Sequence, residues 1–205
     1  MRILAIGAHP DDIEIGCAGT LTKYARYDHE VFLLIMTRGG RGGDPKTRND
    51  EQLRSAEIIG AKEVIWGEYE DTQLTPKMNQ LVHDTEVLLK KIAPDFIFVN
   101  FGDDTHQDHR ALHKATVSAT RYVRNVMFYE VPTTQNFLPT VFVDIKDVMA
   151  VKIQALMAHN SQVMKTNIEG LSIADVAQST AIFRGIQGRT QYAEAFSPLR
   201  LFVNL

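Results

Sequence analysis

Short apolar runs alternate along this chain with longer stretches of helical period. Ile3 to Gly7, Val31 to Met36, Glu63 to Trp66, Phe96 to Val99, Val126 to Tyr129 and Val141 to Ile145 read as strands. Several of them are apolar on both faces, as central parallel strands are. Between them the pattern changes period. Ile15, Ala18, Leu21, Tyr24 and Ala25 predict a helix from about Ile15 to Tyr27. Thr47 to Gly60 reads as a second helix, with Leu53, Ala56 and Ile59 facing inward and Gly60 as its stop. A third opens at Thr75 as N-cap with Pro76 in first position, and runs to about Ile92. Arg110 to Val123 and Asp147 to Ala158 read as two more. After Asn160 the pattern loosens: Leu171 to Phe183 is expected to be helical and Leu199 to Val203 to form an edge strand. Strands that alternate with helices predict an α/β, Rossmann-like fold, with a mostly parallel sheet covered on both faces. No composition break divides the chain, so a single domain over 1–205 is expected.

Composition narrows the classes. A chain of 205 residues, 44% apolar and 23% charged, is long enough to bury one sizeable core and is not of disordered type. A net charge of −3 gives no electrostatic case for a nucleic-acid partner or an anionic membrane surface. The one cysteine, Cys17, excludes a disulfide within the chain and is expected on the buried face of the first helix. No signal-peptide pattern is present, and no stretch approaches the roughly 20 apolar residues that span a bilayer. A soluble, cytoplasmic protein is expected.

Two polar clusters carry the chemistry. Ala8-His9-Pro10-Asp11-Asp12-Ile13-Glu14 follows the first strand, and Asp103-Asp104-Thr105-His106-Gln107-Asp108-His109 follows the fourth. Each precedes a helix. In a parallel sheet the carboxyl ends of the strands share one edge, where ligands bind, so two loops about 100 residues apart can meet there. Imidazole and carboxylate together suit zinc, iron or manganese. A catalytic metal takes three protein ligands and keeps one position open. His9, Asp12 and one histidine of the second cluster supply such a set, which leaves a carboxylate for general base and a histidine for acid. Spacing does not say which of Asp11 and Asp12 is ligand and which is base. Either cluster alone also fits a polar turn capping a helix. His109 and His113 share a helix face, but the glutamate that accompanies such zinc pairs is missing. Thr37 to Arg48, with four glycines and four basic residues, reads as a mobile cationic loop, either a lid or anion clamp or a solvated linker.

At these residues the sequence resembles the PIG-L or LmbE-like metal-dependent N-deacetylases. The family signatures appear as Ala8-His9-Pro10-Asp11-Asp12-Ile13-Glu14 and as His106-Gln107-Asp108-His109, where Gln107 replaces the usual proline. Glu51 to Glu57, His159 to Gln162 and Gln191 to Phe196 are similar to further family stretches. The resemblance implies an LmbE-like fold and zinc, or another divalent metal such as Fe2+, held by His9, Asp12 and His109. It implies Asp11 as general base on the activated water. It implies His106 as the group that stabilises the oxyanion or protonates the leaving amine, oriented by Asp108, and Arg54 as a substrate-binding residue. The implied substrate is a small N-acetylglucosamine conjugate, hydrolysed to acetate and a free amine. Family members often assemble, so a homo-oligomer is expected. Two other functions fit the same residues: an amidase on a non-sugar amide, and a sugar- or nucleotide-binding module without catalysis. A dinucleotide-dependent redox protein does not, because the first turn lacks Gly-x-Gly-x-x-Gly.

Overall fold

The computed structural model describes residues 1–203. Seven strands form one sheet in the order β3-β2-β1-β4-β5-β7-β6. They are β1 (Arg2–Gly7), β2 (Glu30–Thr37), β3 (Glu63–Tyr69), β4 (Phe96–Asn100), β5 (Asn125–Tyr129), β6 (Val141–Asp144) and β7 (Ala193–Arg200). The helices are α1 (Asp12–Arg26), α2 (Pro45–Ile59), α3 (Met78–Ile92), α4 (Gln107–Ala119), α5 (Met149–Ala158) and α6 (Ile173–Gly188). A short 3-10 turn, Thr75–Lys77, leads into α3.

Strands β1 to β5 run parallel, and β7 pairs antiparallel with both β5 and β6. The sheet is therefore mostly parallel, as the apolar pattern predicts. Side chains alternate across it. Leu4, Ile6, Leu34 and Val99 pack with Leu81, Leu112 and Ala115 under α3 and α4. Ile3, Ala5, Leu33 and Phe98 pack with Cys17, Leu21, Ala56 and Ala155 under α1, α2 and α5. Cys17 is fully buried, and burial pushes its thiol well above the usual range. Where α1 crosses the sheet, a Cβ on Gly16 would meet the Tyr129 ring at 2.1 Å, so only glycine fits. No helix among the described residues is long and apolar enough to cross a membrane.

Several elements differ from the sequence reading. Leu199 to Val203 is not an edge strand: the chain pairs instead over Ala193–Arg200, between β5 and β6. Leu53, expected inward on α2, is 47% exposed. Strand β3 runs on to Tyr69 through a bulge, with Gly67 and Glu68 both falling opposite Met36 and Glu68 at φ 56°. A glycine inside a short apolar run hides that continuation.

Candidate active site

Strand order reverses between β1 and β4, which lie side by side with Ile6 opposite Val99. The crevice outside their carboxyl ends is the position where open α/β sheets bind ligands. Both polar clusters lie there. Each following helix also starts three residues earlier than its apolar period suggests, at Asp12 and at Gln107. Asp12, Asp108 and His109 therefore stand in first helical turns, and the backbone fixes their directions.

Asp11 caps α1 in the left-handed region, at φ 93°. Few residues other than glycine take that conformation, and such strain concentrates at functional sites. Asp12 turns the other way. Its Oδ2 accepts hydrogen bonds from the backbone N–H of Ala8 (3.0 Å) and of His9 (2.9 Å). The same oxygen lies 3.5 Å from His9 Nδ1 and 3.3 Å from His109 Nε2. Each of these histidines has a carboxylate against its other nitrogen. His109 Nδ1 lies 3.1 Å from Asp104 Oδ2. His9 Nε2 lies 3.1 Å from Asp71 Oδ1 and 3.4 Å from Asp108 Oδ2.

His106 caps α4. Its Nδ1 accepts the backbone N–H of Asp108 at 3.1 Å, so the ring proton sits on Nε2. Its ring centroid lies 4.6 Å from that of His9 and 4.8 Å from that of His109. The Asp108 carboxylate does not reach His106. It accepts the N–H groups of Thr72 (2.7 Å) and Leu74 (3.2 Å) and faces His9. The expected link from Asp108 to His106 is thus made by a backbone amide, while the side chain supports a different histidine.

Electrostatics favour a cation at this centre. Burial lowers the pKa of His109, but the adjacent carboxylates of Asp12 and Asp104 outweigh it and lift it to about 9. His9 is raised in the same way: burial is overcome by Asp108, Asp12 and Asp71. Burial would raise Asp71, yet its bonds to His9 and to the Arg41 N–H bring it down to about 2. Burial pushes Asp11 up to about 6 against the pull of Arg48. Burial and the neighbouring His9 and His109 hold His106 below its ordinary value. The carboxylates around His9 and His109 favour positive charge at this point, a field that a divalent cation satisfies.

The residues fit a metal. His109 Nε2 is buried without a hydrogen-bond partner although it faces Asp12. Among the described residues, two groups bring one ligand atom each within 4.8 Å of one another: His9, His106 and His109, and His9, Asp71 and Asp108. Imidazole and carboxylate donors of this kind suit zinc or iron.

The PIG-L family profile, described as GlcNAc-PI de-N-acetylase, matches residues 4–120. The chain belongs to the PIG-L family. The uncharacterized deacetylase YaiS of Escherichia coli K12 is 34% identical over 167 residues, which span 78% of this chain and 90% of that protein. Diacetylchitobiose deacetylase of Thermococcus kodakarensis is 28% identical over 192 residues, covering 78% of this chain and 70% of the relative. Among solved structures, N,N'-diacetylchitobiose deacetylase from Pyrococcus horikoshii superposes with a TM-score of 0.82 at 25% identity, over 97% of this chain and 83% of that one.

Within this PIG-L domain the arginine beside the site is Arg48. Arg54 is exposed on α2, as is Glu57, whereas Arg48 and Glu51 are buried. The Arg48 guanidinium donates to Pro10 O (2.7 Å) and Gly39 O (2.8 Å) and lies 3.4 Å from Asp11 Oδ2. Glu51 accepts the Ser161 N–H and hydroxyl, both at 2.7 Å, and so ties the segment after α5 to α2. Behind Asp11, fully buried Glu14 accepts from Gln52 (2.6 Å) and Ser55 (2.8 Å), with His159 Nε2 at 3.5 Å. The sequence reading missed Asp71 and Arg48. Asp71 lies two residues past the true end of β3, on the sheet edge that already marks the other clusters, so a longer β3 would have exposed it.

Proposed function

We propose that this protein is a metal-dependent N-deacetylase that removes the acetyl group from an N-acetylglucosamine-type sugar conjugate, releasing acetate and a free amine. One observation carries the reading: two buried histidines each turn one nitrogen to Asp12 and the other to a carboxylate, directly beside the strained Asp11. Histidine ligands of catalytic metals are braced in this way. His9 through Nδ1, Asp12 and His109 through Nε2 are the proposed ligands, and zinc the proposed metal. The triple of His9, Asp71 and Asp108 is disfavoured because His9 Nε2 then loses its carboxylate support. When bound, the ion supplies Lewis acidity, polarising the amide carbonyl and lowering the pKa of a water beside it.

The rest belongs to the chain. Asp11, partly open to the cavity, takes the proton of the attacking water. Arg48 holds the Pro10–Asp11 turn in place for that transfer. His106, with its proton on Nε2, donates a hydrogen bond to the developing oxyanion, and the proton that Asp11 took from the water passes to the departing nitrogen. Asp108 and Asp71 hold His9, and Asp104 holds His109. The relatives named diacetylchitobiose deacetylase support a sugar amide over a non-sugar one. A cytoplasmic setting accords with the single, buried cysteine. Acetate release from a panel of N-acetylglucosamine conjugates, after chelation and after zinc is added back, tests the function. Release that disappears with the metal and returns with it is expected. Release only from non-sugar amides would move the enzyme to the amidase class.

A further inference from the structure

Next to Asp11, Asp12 and His109 opens a cavity of about 320 Å³. Beside the polar catalytic groups its lining is mostly apolar, interrupted by Thr133, Gln162, Lys165, Thr166 and Asn167. Val131, Ile168, Leu171, Ile173 and Val176 line it. Ile168 and Leu171 come from the segment joining α5 to α6, Ile173 and Val176 from the start of α6, and hydrogen bonds fix the course of that segment. Thr166 Oγ1 donates to Leu171 O at 2.7 Å, and Ile173 N–H donates to Val163 O at 2.8 Å. Ile168 remains 60% exposed at the mouth, an apolar side chain left facing water beside the reacting groups.

The arginines of the glycine-rich loop have partners of their own. Arg38 lies on the Trp66 ring and donates to Asn49 and Glu68. Arg41 pairs with Glu70, and its N–H is held by Asp71. Arg48 is bound to two backbone carbonyls. Lys165, on the cavity wall, donates to Gly42 O. Arg38, Arg41 and Arg48 of the glycine-rich loop thus face other partners, and none of them lines the cavity.

We propose that this cavity is the aglycone site and that it selects an apolar group. The preferred substrates are then N-acetylglucosamine carrying an alkyl or aryl aglycone, not a second sugar or an anionic acid. The inference rests on the deacetylase reading and adds the class of conjugate to it.

The test uses the zinc-loaded full chain with methyl, butyl and octyl N-acetylglucosaminides and with N,N'-diacetylchitobiose. Each buried methylene is worth about fourfold in kcat/KM. A gain of tenfold or more from methyl to butyl is expected, carried by KM because apolar contact is uniform between ground and transition state. Ile168→Asp should bring the butyl-to-methyl ratio close to one; its exposure makes the substitution harmless to folding. Acetate from every substrate with equal kcat/KM for methyl and butyl, or a preference for diacetylchitobiose, would overturn the aglycone inference and leave deacetylation standing. Acetate from none would count against the deacetylase reading. Calorimetric titration of the same glycosides still decides the cavity in that case: tighter binding of butyl than methyl with a negative heat-capacity change supports an apolar site, and equal binding refutes it.

Discussion

Asp104 Oδ2 lies 3.1 Å from His109 Nδ1, and the opposite nitrogen of that ring faces Asp12 at 3.3 Å. Asp104 is itself held, accepting the His106 N–H at 2.7 Å and the Thr134 hydroxyl at 3.1 Å. A carboxylate so placed fixes both the tautomer and the tilt of the ring. Asp104→Asn should weaken zinc retention by about 10- to 100-fold, read by chelator competition. Unchanged affinity would show that His109 needs no such support.

Arg48 depends on a glycine. Gly39 sits at φ +64°, and a Cβ there would come within 1.9 Å of Arg48 Nη1. Gly39→Ala combines left-handed strain of about 1–3 kcal/mol with displacement of the guanidinium from Pro10. Lower stability in urea together with reduced kcat at saturating zinc is expected. Arg48→Lys isolates the second effect, because one ammonium cannot reproduce the fork on Pro10 O and Gly39 O.

Arg54 tests the opposite case. It is exposed on α2, so Arg54→Ala should leave kcat/KM within about twofold. A fall of tenfold or more would return it to the substrate site. The resemblance pointed to Arg54 on this helix, whereas the arginine beside Asp11 is Arg48; α2 is polar, and only burial separates the two.

The legible part of the molecule follows from periodicity. The apolar runs located β1, β2, β4 and β5, and parallel pairing then placed His9 and His109 on one edge. What stayed hidden depends on contacts distant in sequence or on local exceptions. Asp71 was concealed by the bulge at Gly67 and Glu68. Strand β7 was misplaced because Pro198 and the polar residues around it break the alternation of an interior strand. The target of Asp108 was misassigned because neighbours in a motif need not touch: its side chain crosses to His9 while its amide holds His106.

A buried ion pair ties α5 and β7 to α1. Lys152 Nζ donates to Glu194 Oε1 at 2.5 Å and to Ile15 O at 2.7 Å, while Glu194 accepts the N–H groups of Gly19 and Thr20. Lys152→Met leaves that carboxylate buried without its cation. A loss of about 3–5 kcal/mol in urea unfolding is expected. A loss below about 1 kcal/mol would mean that the backbone amides alone satisfy Glu194.

The most direct test of the proposed centre is Asp11→Asn, assayed for zinc content and for acetate release in the same preparation. Asparagine tolerates the left-handed backbone that Asp11 adopts and keeps its shape, so the fold and the neighbouring ligands are preserved. The account predicts wild-type zinc content with acetate release reduced at least about 100-fold, the loss of a general base. Zinc-loaded Asp11→Asn that releases acetate at the wild-type rate would contradict it.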